Sequence, residues 1–117
     1  MSLSALQMEF AQAAALLIEK AAELGYGVTL GDAYRSPAQA AMNAADGTGV
    51  ANSLHCDRLA IDINLFKGDV YITDDTGHKD LGAWWKTQGP NYKWGGDIQR
   101  PRADPNHYSL SPDGIRA

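Results

Sequence analysis

The 117-residue chain has little cysteine, no long hydrophobic run and no cluster of basic residues. Its single cysteine, Cys56, cannot form a disulfide within the chain, which fits cytosolic synthesis without excluding later release. No segment offers the run of about 18 uncharged apolar residues that a membrane-spanning helix requires. The apolar stretch at residues 11–18 has no basic region before it and ends at Glu19, so we predict a mature helix there rather than a signal peptide.

Basic residues are too few and too scattered to form a binding patch. The chain has 10 Lys and Arg residues against 14 Asp and Glu residues, for a net charge of −4. Nucleic-acid-binding proteins carry a basic footprint, so we expect no nucleic-acid partner, and simple adsorption to an anionic surface is disfavoured as well. Binding is therefore expected to come from a specific pocket.

The length suits one domain, since typical domains have about 100–150 residues. Apolar residues make up 44% of the chain and charged residues 21%, which is ordinary for a globular protein. The sequence contains no repeats, low-complexity tracts or interdomain linkers. We therefore predict a single domain over residues 1–117, and we expect a monomer.

Hydrophobic periodicity predicts three helices and several short strands. Apolar residues recur every three or four positions over residues 5–24, with capping-box spacing from Ser4 to Gln7 and Gly25 as the stop signal. The remaining predicted elements are a strand over 26–30, a helix from Ser36-Pro37 to about 45, a hairpin over 60–72 with its turn at 67–69, a helix over about 78–88 and a strand over 107–110.

One aspartate lies inside an apolar strand. Asp62 stands between two isoleucines, and because an unpaired charge near a core is very costly, it needs an arginine or a metal ion. His55 lies seven residues earlier, and the distant His107 could complete a metal site. Catalytic zinc commonly takes three ligands of these types and leaves the fourth position to water. The third histidine, His78, has no partner at ligand spacing and is expected to be structural, at a helix start.

Asp104 lies three residues before His107 and places a second carboxylate near the same site. Beside a metal, it could take a proton from a metal-bound water and pass it to a leaving amine. The metal would lower the pKa of that water and polarise the scissile carbonyl. The pattern thus permits metal-assisted hydrolysis, although Asp104 is also a good turn residue before Pro105.

These motifs resemble the zinc D-alanyl-D-alanine carboxypeptidase and L-alanyl-D-glutamate peptidase family. The resemblance is carried by Ser53-x-His55 through Ala60-x-Asp62 and by the later Asp104-x-x-His107. Similarity spans about residues 25–111, and three further segments look like the phage-endolysin branch: Tyr34-Arg35-Ser36, Leu81-Gly82-Ala83-Trp84-Trp85 and Trp94-Gly95-Gly96-Asp97. Separate motifs that agree in one order make the signal specific.

The resemblance implies a small α+β fold, with a short antiparallel sheet flanked by helices. The roles it implies are Zn²⁺ binding by His55, Asp62 and His107, acid/base catalysis by Asp104, and binding of a carboxylate of the peptide stem by Arg35 and Ser53. The family's carboxypeptidases and dipeptidases carry a glutamate where this chain has Asp104. That difference favours an L-alanyl-D-glutamate endopeptidase.

Some of these residues also have a structural interpretation. Arg35 could instead neutralise Asp32 or Asp62, and Ser53 could cap a turn. Cys56 could be a fourth ligand that blocks catalysis, but neighbouring residues of a strand point to opposite faces, which disfavours this role.

We therefore expect a peptidase that cuts the peptide stem of bacterial peptidoglycan and is made by a phage or prophage to lyse its host. Without an export signal it would accumulate in the host cytoplasm and reach the periplasm and cell wall through a separate holin-type membrane protein. The lack of a wall-binding module suits a Gram-negative host. Three alternatives stay open: a D-Ala-D-Ala carboxypeptidase of the same family, a zinc-retaining module that binds the wall without cleaving it, and a virion component for local wall penetration.

Overall fold

A computed structural model describes residues 2–47, 53–98 and 103–116 of the chain. These residues form the helices α1 (Leu3–Glu23), α2 (Pro37–Ala45) and α3 (His78–Lys86), and 3-10 turns at Leu54–Asp57 and Gly95–Asp97. Their strands are β1 (Gly27–Leu30), β2 (Ala60–Lys67), β3 (Val70–Tyr71), β4 (Tyr92–Trp94) and β5 (His107–Leu110). The sequence predicted all of these helices and strands except β4.

Helix α1 begins earlier than its sequence pattern indicated. Its N-cap is Ser2, whose hydroxyl oxygen accepts a hydrogen bond from the Ala5 N–H at 3.2 Å. The predicted capping box at Ser4 is therefore wrong, because the helix already contains that residue. Helical spacing places the buried side chains on one face, which packs on β1, β2 and α3: Phe10, Ala13, Ala14, Leu17 and Ala21.

The strands form an antiparallel sheet in the order β1-β2-β5-β4, and β3 pairs with β2 in the predicted hairpin. The register places Asp62 directly opposite His107 and Thr29 opposite Asn64. This short antiparallel sheet, flanked by the three helices of the described residues, confirms the predicted α+β fold. None of the helices in the described ranges combines the length and the apolar character that a bilayer span requires.

The central strand β2 has one apolar and one polar face, as its alternating sequence predicted. The side chains of the apolar face are buried in the core: Ile61, Ile63 and Leu65. Asp62 and Asn64 are half-buried on the other face. Directly opposite residues of an antiparallel pair share a face, so His107 of β5 lies beside Asp62 on the polar face.

The core packs around Trp85, which α3 supplies and which is fully buried. Its ring meets the rings of Phe10, Tyr92 and Tyr108 edge-on, with centroids 6.0, 5.0 and 5.9 Å away. The indole N–H of Trp85 donates to the carbonyl of Ser109 at 3.1 Å. Helix α3 is thereby fixed to β5, the strand that carries His107.

Candidate metal centre

Three of the predicted site residues come together on the polar face of β2. The Nε2 atom of His55 and the Nδ1 atom of His107 lie 3.2 and 3.3 Å from Oδ1 of Asp62, and 3.2 Å from each other. Among the described residues, these are the His, Cys, Asp or Glu side chains whose ligand atoms converge closely enough to hold a metal ion. The structure thus brings together the three residues that the sequence predicted as metal ligands, and they could hold a metal ion.

Each of the three side chains is positioned by its own element. Asp62 and His107 are direct partners of the β2 and β5 pair, so both project from the same face of the sheet. His55 comes from the 3-10 turn before β2, which Ser53 caps by accepting the His55 N–H at 3.1 Å. Arg58 ends that turn in the left-handed region, with a φ of 57°. The reversal lets a short connection return the chain to β2 with His55 facing Asp62.

The triangle of ligand atoms fits a tetrahedral metal ion. Zinc bonds to nitrogen and oxygen ligands of about 2.0–2.1 Å place neighbouring ligand atoms about 3.3–3.4 Å apart on a tetrahedron. The separations of 3.2 to 3.3 Å match this spacing. Hydrogen bonds alone satisfy the triangle incompletely, because if both imidazole nitrogens donate to Asp62, their own contact of 3.2 Å joins two donors and has no acceptor. Two imidazoles and one carboxylate are a donor set typical of catalytic zinc.

The environment keeps Asp62 ionised. Burial by itself raises the pKa of this carboxyl group, but hydrogen bonds and charge from His107 and His55 outweigh burial and hold the pKa well below its usual range. A deprotonated carboxylate is what metal binding requires. The outer nitrogens, Nδ1 of His55 and Nε2 of His107, are buried and have no hydrogen-bond partner among the described residues. Packing of the two rings, with centroids 5.0 Å apart, therefore helps to set their orientation.

The chain before His107 is a tight turn held against Gly95. His107 donates its backbone N–H to the Asp104 carbonyl at 3.1 Å, and Asp104 donates its own to the Gly95 carbonyl at 2.9 Å. The indole N–H of Trp94 donates to the Pro105 carbonyl at 2.8 Å. A Cβ atom on Gly95 would overlap the Asp104 carbonyl oxygen and stand 2.6 Å from the Cβ of His107. Glycine is therefore required here, a supporting role that the sequence did not reveal.

Asp104 occupies the first position of this turn, and its side chain is exposed. It is not one of the three converging ligands found among the described residues. Both of its backbone hydrogen-bonding groups are fixed, by Gly95 on one side and by His107 on the other. Asp104 therefore acts as a turn residue in the structure. Its acid/base role stays a prediction.

Asn106 is a supporting residue that sequence reasoning missed. Its backbone carbonyl accepts the Ile63 N–H at 3.0 Å, and its side-chain amide donates to the Ile63 carbonyl at 2.8 Å. The same amide nitrogen donates to Oδ1 of Asn64 at 2.9 Å. Asn106 thus ties the turn before His107 to β2, one residue beyond Asp62. The signal in the sequence is weak, because an Asn beside a Pro is also an ordinary turn residue.

Arg35 and Ser53 lie beside the ligands and are engaged within the protein. The guanidinium of Arg35 donates from Nη2 and Nε to Oδ2 of Asp32 at 3.0 and 3.3 Å, and Nη2 lies 4.0 Å from Oδ2 of Asp62. Ser53 is buried and caps the turn of His55. Arg35 therefore pairs with Asp32, and Ser53 caps a turn, as the structural interpretations of these two residues predicted. Their roles in substrate binding stay predictions.

Two further residues show where local geometry differs from the sequence pattern. Cys56 lies in a 3-10 turn rather than in a strand, so the argument from alternating faces does not apply to it. It is half-buried and does not belong to the three-residue ligand group of the described chain. His78 begins α3 fully buried, and its Nδ1 shares a hydrogen bond of 2.7 Å with the Tyr108 hydroxyl. The structural role predicted for His78 is confirmed.

The fold is similar to that of a known peptidase. The structure matches the crystal structure of the Serratia marcescens L-Ala D-Glu endopeptidase ChiX with a TM-score of 0.66 and 18% sequence identity. The match covers 86% of this chain and 80% of that chain. Comparison of the sequence with family models and with curated proteins finds no match. At this level of identity the likeness establishes a shared fold.

Proposed function

We propose that this protein is a zinc-dependent peptidase that hydrolyses the peptide stem of bacterial peptidoglycan between L-alanine and D-glutamate. One observation carries the proposal. A His, Asp and His triangle of zinc-like dimensions lies over the polar face of the central strand, in a fold shared with an L-Ala D-Glu endopeptidase. The choice of scissile bond is supported by Asp104, which stands where the carboxypeptidases that the sequence resembles carry a glutamate.

In this proposal His55, Asp62 and His107 hold the zinc ion. When bound, zinc supplies Lewis acidity toward a peptide carbonyl and acidifies a water molecule. Asp104 takes up a proton and returns it to the leaving amine. Its exposed carboxylate lies in the closed turn, three residues before His107. A general acid and base of this kind contributes about 100- to 10,000-fold in rate.

Arg35 and Ser53 are proposed to orient the stem through one of its carboxylates. The described contacts of the Arg35 guanidinium use Nε and Nη2, and a guanidinium has five N–H donors, which suits carboxylate recognition. The Ser53 oxygen accepts the His55 N–H, which leaves its hydroxyl proton available for donation. Such contacts hold the peptide at the metal and reduce the entropic cost of reaction.

Digestion of purified Gram-negative peptidoglycan tests the proposal. We expect new N-terminal D-glutamate ends, identified by mass spectrometry, that disappear with a chelator and return with zinc. Asp104→Asn should lower the rate by about 100-fold or more while zinc affinity is retained. Asp97→Asn is the matched control, because Asp97 is an exposed carboxylate paired with Lys86 at 2.8 Å, and it should cleave at the wild-type rate.

Two outcomes would contradict the proposal in different ways. Release of D-alanine in place of D-glutamate ends would assign the protein to carboxypeptidase chemistry. Absence of cleavage by a protein that carries stoichiometric zinc would assign it to wall binding without catalysis.

We further propose that the enzyme acts as a phage or prophage endolysin. Support comes from Tyr34-Arg35-Ser36 and Trp94-Gly95-Gly96-Asp97, which look like the endolysin branch. The protein would then accumulate in the host cytoplasm and act in the periplasm and cell wall after a holin-type protein opens the membrane. Expression in a Gram-negative host should cause lysis when a holin is co-expressed and none without it. Lysis that does not depend on the holin would contradict this route.

A further inference from the structure

The segment after β1 is bonded to the backbones of two candidate metal ligands. Gly31 donates its N–H to the Asp62 carbonyl at 2.8 Å, and Asp62 donates its own N–H to the Asp32 carbonyl at 2.8 Å. Arg35 donates its backbone N–H to the carbonyl of His55 at 3.2 Å. Backbone hydrogen bonds therefore hold Gly31, Asp32 and Arg35 against the two candidate ligands.

Within this segment, Arg35 lies between two carboxylates. Its side chain is 15% exposed, with Nη2 at 3.0 Å from Oδ2 of Asp32 and 4.0 Å from Oδ2 of Asp62. A guanidinium that is largely removed from water needs an anionic partner close by. Asp32 is that partner, because it receives both Nη2 and Nε.

Without the Asp32 carboxylate, Asp62 is the next anion within reach of Arg35. Closing the gap of 4.0 Å to a charge-assisted hydrogen bond of about 2.8 Å takes a movement on the order of 1 Å. The guanidinium would then share the negative charge of Asp62 and pull on Oδ2, the oxygen that does not face the histidines. Both effects oppose binding of a cation at Oδ1.

We propose that Asp32 is a positioning residue for the metal centre, because it holds the Arg35 guanidinium away from Asp62 and so leaves that carboxylate to the metal ion. The inference rests on the zinc site of the proposed function and deepens it. It also gives the Asp32 and Arg35 pair a role that differs from substrate binding.

Zinc affinity, measured by competition with a chromogenic chelator in the absence of substrate, tests this role. Asp32→Asn should bind zinc about 10- to 100-fold more weakly than the wild type, the range for loss of an outer partner. Arg35→Gln should bind at least as tightly as the wild type. The double variant Asp32→Asn with Arg35→Gln should recover affinity to within a few-fold of the wild type.

Two controls separate this mechanism from simple loss of charge. Asp75→Asn removes an exposed carboxylate paired with Lys79 at 3.6 Å, and it should leave zinc affinity unchanged. The deficit of Asp32→Asn should persist at 1 M salt, where the Debye length is about 3 Å and long-range attraction is screened. Thermal unfolding of each metal-free variant verifies that it is folded, and if Asp32→Asn does not fold, Arg35→Gln carries the test.

The possible failures are distinguishable. If the wild type binds zinc and Asp32→Asn binds it equally well, the positioning role is wrong while the zinc site stands. Weaker binding by Arg35→Gln, or a double variant as weak as Asp32→Asn, would also overturn it. A wild type that binds no zinc would overturn the proposed function together with this inference.

Discussion

Replacing Gly95 with alanine should damage the candidate metal centre without changing any ligand. The added Cβ would overlap the carbonyl oxygen of Asp104 and stand 2.6 Å from the Cβ of His107. Carbon atoms in ordinary contact are about 3.5–4.0 Å apart. Either the turn that carries His107 or the backbone at residue 95 must therefore move by about 1 Å.

This displacement is large compared with what a metal site tolerates. Metal-ligand distances are expected to stay within about 0.2 Å of their ideal values. The three ligand atoms already stand at the spacing of a tetrahedral ion, 3.2 to 3.3 Å apart. We expect zinc affinity to fall by at least the 10- to 100-fold that loss of outer support costs. Overpacking should also lower the free energy of unfolding by about 1–3 kcal/mol.

The assay is zinc competition together with thermal unfolding of the metal-free protein. Gly27→Ala is the matched control, because the nearest heavy atom to its added Cβ is the Phe66 Cβ at 3.8 Å, an ordinary contact. The control should keep zinc affinity within a few-fold of the wild type. Wild-type zinc affinity in Gly95→Ala would refute the reasoning, since it would show that the turn does not need to approach residue 95 in order to place His107.

Three further predictions concern the ligand group, its support and the buried histidine. Zinc at 100 times its Kd should raise the free energy of unfolding by about 2.7 kcal/mol, and calorimetry should find that Asp62→Asn abolishes this gain while Asp104→Asn keeps it. Asn106→Ala leaves the Ile63 carbonyl without its side-chain donor, so denaturant titration should show a loss of about 1–3 kcal/mol, and zinc affinity should fall as well. Burial lowers the pKa of His78 from 6.5 to about 4, against the opposing charge of Asp75. The folded state then binds fewer protons than the unfolded one, so stability should decline by about 3 kcal/mol as the pH falls from 6.5 to 4, and His78→Gln should flatten that decline. A zinc gain retained by Asp62→Asn, an unchanged Asn106→Ala, or an equally steep decline in His78→Gln would each contradict the corresponding argument.

The parts of the site that the sequence predicted are those dictated by local chemistry. Alternation along residues 60–66 predicts a strand with one apolar face, and the charge of Asp62 within it demands a cation. His55 and His107 then complete a predicted set of three metal ligands with Asp62. The structure shows all three together because Asp62 and His107 are cross-strand partners. The register that pairs them could not be read from either strand alone, and the resemblance to a known family implied only that the three residues share one site.

The parts that the sequence did not predict depend on contacts between distant residues or on single turns. A 3-10 turn of four residues has no period to detect, so the turn that carries His55 was missed. Gly95 looks like any loop glycine until the approach of the Asp104 carbonyl is known. For Arg35, the sequence left Asp32, Asp62 and a substrate as possible partners. Nη2 of Arg35 lies 3.0 Å from Asp32 and 4.0 Å from Asp62, so Asp32 is the nearer partner. Only the three-dimensional structure gives these distances.

The apolar core fixes the site before any metal is bound. Ile61 and Tyr108 are cross-strand partners buried in the core, and they are the neighbours of Asp62 and His107 in their strands. A slip of one residue would turn every side chain of the strand to the opposite face, exposing the isoleucine and burying the aspartate. Burial of the apolar pair therefore forces the pair of candidate ligands, Asp62 and His107, onto the polar face. It follows that no metal ion is needed to bring Asp62 and His107 together, and a chelator should remove the proposed zinc ion without unfolding the domain.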